Sequence, residues 1–174
     1  MGSEVQHLDR AGLMAKLEEL GISTTTEEHP EVFTVEQMMP HVSHLSGAFT
    51  KNLFLKDKKK KLYLFSARHD LDIKLNDLAK KVGAPGGFRF ADESVLYEKL
   101  GVTQGHVTAF ALVNDTGGDV KFLLDEQLMK GNYDRIFFHP MSNSASTGIT
   151  QEDFLKFLSA INHEPVLVNC DDLK

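Results

Sequence analysis

The chain has 174 residues, 41% of them hydrophobic and 25% charged, with 25 acidic against 19 basic side chains and a formal net charge of −6. That length suits one domain with a sizeable core, and the composition is that of an ordinary globular protein. The acidic balance argues against a general nucleic-acid coat, no apolar run approaches the ~20 residues of a membrane span, and a single cysteine, Cys170, excludes an intrachain disulfide.

The start, Met1-Gly2-Ser3-Glu4, shows no basic segment leading into an apolar one, so neither a secretory leader nor a membrane is expected and a cytoplasmic location is the default. Asp9 is placed to cap a first helix whose apolar face is Leu13, Leu17 and Leu20, with Gly21 ending it. The threonine-rich stretch 22–28 reads as a strand before His29-Pro30. Thr34 and Gln37 have capping-box spacing, predicting a short helix over 35–39 that Pro40 ends.

Segments 48–55 and 62–67 read as a hairpin whose tip is the lysine run Lys56-Asp57-Lys58-Lys59-Lys60-Lys61. Apolar positions Ile73, Leu75, Leu78, Ala79 and Val82 predict a helix over 72–82, which Gly83, Pro85, Gly86 and Gly87 break. Phe88 and Phe90 alternate as a short strand, and Asp92 caps a helix reaching Leu100, ended by Gly101. The apolar segment 106–114 suits an inner strand, with 120–124 returning as its hairpin partner. A strand over 133–138 runs into His139-Pro140. Thr150 with Asp153 starts a helix through Phe154, Leu155, Leu158 and Ile161, and 166–168 closes the chain as a strand. Hairpins outnumber strand–helix–strand units, so the expected fold class is α/β with a mixed, mainly antiparallel sheet and packed helices in a single domain.

Three clusters could carry chemistry. Lys51 and Asn52 begin a strand; an inward ammonium needs an anion or a polar partner, although an edge position would serve as well. Alternation should send the two side chains to opposite faces unless a bulge intervenes. His139 leads into a loop of small polar residues, Asn143, Ser144, Ser146 and Thr147, suited to holding a polar fragment or to capping the next helix. Gly101 and Gly105 bracket a segment with His106 and Thr108 where backbone could approach a ligand, but neither the dinucleotide nor the phosphate-loop pattern is present. His41 and His44 lack an adjoining acidic or cysteine ligand, so no metal and no cofactor is expected. Cys170 suits buried filler, and Phe88, Phe90, Phe137 and Phe138 read as core residues rather than base-stacking platforms.

These motifs, in order, resemble one family. His29-Pro30-Glu31-Val32-Phe33-Thr34, Lys51-Asn52-Leu53-Phe54-Leu55-Lys56-Asp57, Leu100-Gly101-Val102 with Gly105, and Phe138-His139-Pro140 with Asn143 are similar to the prolyl-tRNA synthetase associated domain proteins. These are free-standing relatives of the bacterial prolyl-tRNA editing domain, within the YbaK/ProX group. The resemblance runs over about residues 8–168 and implies a compact YbaK/ProX-like α/β fold. It further implies trans-editing, the hydrolysis of the ester of a mischarged aminoacyl-tRNA. Alanine on proline-specific tRNA is the first substrate, and prolyl-tRNA synthetase is a possible partner.

By the same resemblance the family's lysine falls on Lys51 and its histidine on His139, the catalytic candidates. Asn52, Gly101, Gly105, His106, Thr108, Asn143 and Phe33 become substrate-binding candidates, with Phe33, Leu53 and Phe110 as pocket walls. Lys56, Lys58, Lys59, Lys60 and Lys61 would guide tRNA. One departure stands out: where such proteins commonly carry proline, this chain has Ala109. The alternatives are a binding protein that kept the fold without catalysis, and a deacylase for another small aminoacyl ester such as cysteinyl or seryl.

Overall fold

Asp9 opens the first helix as its chemistry requires: its carboxylate accepts from the Gly12 amide at 2.9 Å, and α1 (Arg10–Glu19) buries Leu13 and Leu17. The computed structural model describes residues 7–32 and 34–172; Phe33, a pocket-wall candidate, lies outside the described residues. Strand β1 is Thr25–Glu28, shorter than the 22–28 expected, because Ile22 turns into the core.

The Thr34 hydroxyl accepts from the Gln37 amide at 3.1 Å and starts α2 (Val35–Val42). Pro40 lies inside this helix instead of ending it. The carbonyl it leaves without an amide belongs to Glu36, on the exposed first turn where solvent can serve it.

Strands β2 (Ala48–Lys56) and β3 (Leu62–Arg68) form the expected antiparallel hairpin, in register from Thr50 opposite Arg68 to Lys56 opposite Leu62. Buried Asp57 organises its basic tip, accepting from the Lys59 and Lys61 amides and from the Tyr63 hydroxyl at 3.0 Å. Burial, with that carboxylate beside it, pushes the Tyr63 phenol up to about 12. Next come α3 (Leu75–Val82), starting later than expected, β4 (Arg89–Phe90) and α4 (Glu93–Leu100).

The segment expected as an inner strand over 106–114 is instead a 3-10 helix, Ala109–Asn114. Thr108 caps it through its hydroxyl, and Ala109, Phe110, Ala111 and Leu112 are all buried. Consequently β5 (Val120–Asp125) has no hairpin partner there; it pairs in parallel with β3, one of the long-range pairings that sequence proximity hides. Then follow α5 (Glu126–Lys130), β6 (Ile136–Phe138), β7 (Ala145–Ile149), α6 (Gln151–Ala160) and β8 (Val166–Val168). Strand β7 occupies the second half of what read as a polar loop.

The strands run β1-β7-β6-β2-β3-β5-β8, with β4 also on β2. Four pairings are antiparallel and three parallel, the mixed, mainly antiparallel sheet expected. One face packs against α1, α4, the 3-10 segment and α6 through Phe54, Leu64, Phe122 and Phe138. The other carries α3 over Leu55, Phe65 and Leu123, and α2 over Phe49 and Phe137. No described helix is long and apolar enough to cross a membrane.

One feature of the sheet creates the site. Strand β6 pairs with β2 only at Ala48 and Phe49, and β4 pairs with the same edge only at Leu55 and Lys56. Between them, among the described residues, the β2 edge meets no strand.

Candidate active site

Backbone groups of alternate strand residues point to the same edge. Ala48 N–H donates to the Arg135 carbonyl at 2.9 Å, and the Phe54 carbonyl accepts from Ala91 N–H at 3.0 Å, both across the interrupted edge. Asn52 has their parity, so its N–H and C=O face the gap. A cavity of about 170 Å³ fills that gap, lined by Val32, Thr34, Met38, Thr50, Lys51, Asn52, Gly105, Val107 and His139.

Because the cavity lies at an edge, both faces of the sheet contribute to it. Lys51 leaves β2 on the α2/α3 face, where its ammonium donates to the Leu71 carbonyl in the loop before α3. Asn52 leaves on the other face; its carbonyl oxygen accepts from the Ser66 hydroxyl and its amide donates to Thr50 Oγ1 at 3.2 Å. The Thr50 hydroxyl in turn donates to the Phe137 carbonyl at 2.8 Å. The expected opposition of Lys51 and Asn52 therefore holds without a bulge, and it still brings both to one cavity.

Gly105 enters through a turn closed by His106 N–H to the Thr103 carbonyl at 3.0 Å, with Gly105 at φ 89°. That value requires glycine at the third turn position and presents bare backbone to the cavity. His139 enters at the end of β6. Its Nδ1 faces the Ala145 carbonyl at 3.1 Å and therefore donates to it, which leaves Nε2 as the acceptor of a neutral ring. Burial lowers the His139 pKa; the Ala145 bond opposes this and repulsion from His29 and His106 adds to it. The wall carrying Val32 is held by Val32 N–H to the Asn143 carbonyl at 3.2 Å and by the His29 ring, whose Nε2 is 3.0 Å from Ser146 Oγ.

The other described candidates do not line this cavity. Gly101 terminates α4 at φ 70°, where an added Cβ would meet His7 and Asn114, so its role there is packing. Thr108 is the buried cap of the 3-10 segment, and His106 turns its Nε2 toward Glu31 at 4.0 Å. Asn143 is buried, with its Nδ2 lacking a hydrogen-bond partner among the described residues. Phe110 is wholly buried in the core and is not among the residues lining this cavity. Lys56 sits 3.7 Å from Asp92, while Lys60 and Lys61 join Lys99 and Lys121 around a basic hollow beyond the hairpin tip. Lys58 and Lys59 lie in that same tip turn, exposed. Thr50, Val107 and Met38 were not anticipated; the strand parity of Thr50 with Asn52 was the available signal.

Elsewhere, His44 pairs with Glu27 and His41 stacks on His29, and no group of three or more His, Cys, Asp and Glu among the described residues could hold a metal. Buried Cys170 has its thiol pushed up to about 12, chiefly by burial, and is inert as a nucleophile. A larger groove of about 670 Å³ beside α6 and β8 contains none of the candidate residues.

Comparison with known proteins gives this geometry a family. The model of the aminoacyl-tRNA editing domain matches residues 29–157. The chain belongs to that family. It is 54% identical over 164 residues to prolyl-tRNA synthetase associated domain-containing protein 1 of Xenopus laevis, covering 93% of this chain and 97% of that one. It is 34% identical over 152 residues to the prolyl-tRNA editing protein ProX of Acetoanaerobium sticklandii, covering 87% and 91%. The fold matches the crystal structure of hypothetical protein APE2540 with a TM-score of 0.68 at 15% identity, over 90% of this chain and 97% of that one. A candidate trans-editing enzyme for prolyl tRNA synthetase matches with a TM-score of 0.64 at 19% identity, over 94% and 99%.

Proposed function

We propose that this editing-domain protein is a hydrolase that cleaves the ester of a mischarged aminoacyl-tRNA in trans, with alanine on proline-specific tRNA as its first substrate. The convergence of Lys51, Asn52, Gly105 and His139 on one 170 Å³ cavity carries the reading. Relatives named for prolyl-tRNA synthetase and for prolyl-tRNA editing supply the tRNA and the synthetase as partners.

An aminoacyl ester is already activated, so positioning and charge stabilisation suffice for much of the acceleration. Water adds to the carbonyl carbon, giving a tetrahedral oxyanion. The Lys51 ammonium and the edge-facing Asn52 N–H stabilise that oxygen. The bond to the ribose oxygen then breaks, the ribose oxygen takes the proton given up by the attacking water, and free amino acid and tRNA leave. His139, neutral with Nε2 as acceptor, holds the substrate ammonium or orients the water. A cavity this small selects by exclusion, admitting alanine more readily than a bulkier acyl group.

The test is release of alanine from mischarged proline-specific tRNA by the wild-type chain and by Lys51→Ala. Wild-type release with loss in the variant supports the reading, and equal release by both rejects the role of Lys51.

A second reading, binding without cleavage, draws on Ala109 and on the resting contact of the Lys51 ammonium with the Leu71 carbonyl. Ala109 occupies the first position of its helix, where proline is readily accommodated. Ala109→Pro that turned an inactive chain into a deacylase would select this second reading.

A further inference from the structure

Phe90 is 60% exposed, not the core residue its alternation with Phe88 suggested. It sits on the two-residue strand β4, opposite Leu55 at the far end of the β2 gap, with Arg89 beside it opposite Lys56. Its ring borders a second cavity of about 600 Å³ that shares Asn52, Gly105 and Val107 with the smaller one. The two spaces are therefore contiguous along the open edge of β2. An ester whose acyl group fills the smaller can place its alcohol portion in the larger.

The chemistry of the larger space fits a nucleoside. Leu53, Ala91 and Leu96 give it apolar walls, Glu93 and Gln104 offer hydrogen-bonding groups, and the Phe90 ring offers a π-face. Exposed Arg89 is the next residue toward the lysine-rich tip, opposite Lys56, whose ammonium lies 3.7 Å from Asp92. Exposed aromatic faces flanked by cations are how proteins hold unpaired bases irrespective of sequence.

We propose that Phe90 is a nucleobase platform: it stacks on the 3′-terminal base of the acylated tRNA, seated in the larger cavity, while Arg89 meets the phosphate preceding that nucleotide. This rests on the deacylase reading for its substrate but can be tested apart from it.

The chain contains no tryptophan, so Phe90→Trp installs a single reporter at the platform. Fluorescence of this variant is titrated with an uncharged acceptor-stem minihelix and with the same RNA lacking its terminal nucleotide. Saturable quenching by the first, lost or weakened at least about tenfold with the second, supports the platform; equal quenching by both, or none, overturns it. In parallel, deacylation by Phe90→Ala is expected to show KM raised roughly 5- to 100-fold with kcat within about twofold, restored by Phe90→Tyr. Unchanged KM beside an active wild type overturns the platform and leaves the deacylase reading intact. A wild type that cleaves nothing removes that reading, and the minihelix titration alone then decides on the platform.

Discussion

Lys51 and Asn52 are successive residues whose side chains leave β2 on opposite faces, yet both border the same small cavity. An ordinary interior strand would separate them by a full sheet. The separation vanishes here because β6 and β4 stop short of each other on the β2 edge, leaving the edge around Asn52 open on that side. An amine, a side-chain amide and a backbone N–H can then surround one carbonyl.

Lys51→Ala should lower kcat/KM for ester cleavage at least about tenfold, as expected for loss of one oxyanion-stabilising group. The Leu71 hydrogen bond is lost from the resting fold, so stability should fall by about 1 kcal/mol. Steady-state deacylation paired with urea unfolding checks both.

The pH dependence of turnover follows from the sign of the His139 shift. Burial holds its folded pKa below the ordinary 6.5, so the neutral ring persists through neutrality and is lost only as pH falls through that lower value. The acid limb of kcat/KM should lie below 6.5 and disappear in His139→Ala. A limb unaltered in the variant would assign the titration to another group.

How much of this was legible in the sequence varied with the kind of signal. Thr34, Asp9 and Thr150 marked helix starts because one side chain satisfies an otherwise orphaned amide, a local requirement readable from spacing. Segment 106–114 failed because a short buried apolar run has no period to distinguish strand from 3-10 helix. Strand β7 was missed for a related reason: all five of its residues are buried, so its small polar side chains show no alternation. The candidate residues Lys51, Asn52, Gly105 and His139 could be named from motifs. Their convergence could not, since it depends on where two neighbouring strands end.

Asp115 is the polar anchor beneath the far side of the core. It accepts from the Asp119 and Val120 amides and lies 2.9 Å from His163 Nε2, with both side chains buried. Burial alone would raise its pKa, but His163 and those two amides bring it below the usual 3.8. Its stabilisation is thus complete above that value and is lost as pH falls through the folded pKa. Asp115→Ala should cost about 3 kcal/mol in urea unfolding at neutral pH. A change under about 0.5 kcal/mol would contradict the assignment.

The basic hollow of Lys60, Lys61, Lys99 and Lys121 lies past the hairpin tip, and Asp57 at that tip is six residues, or ~20 Å of strand, from Lys51. Exchanging Lys60 and Lys61 for glutamine should weaken tRNA binding and reduce the slope of log affinity against log salt by about 0.9 per phosphate contact. An unchanged slope would place the acceptor stem elsewhere.

The most direct measurement offers the purified chain a panel of acylated tRNAs, with and without chelator: alanyl, seryl, cysteinyl and prolyl esters on proline-specific tRNA. Selective loss of the alanyl ester, with the prolyl ester left intact and Lys51→Ala inactive, is the expected result. Persistence of every ester while the tRNA itself is bound would contradict a hydrolytic site at the open edge of β2.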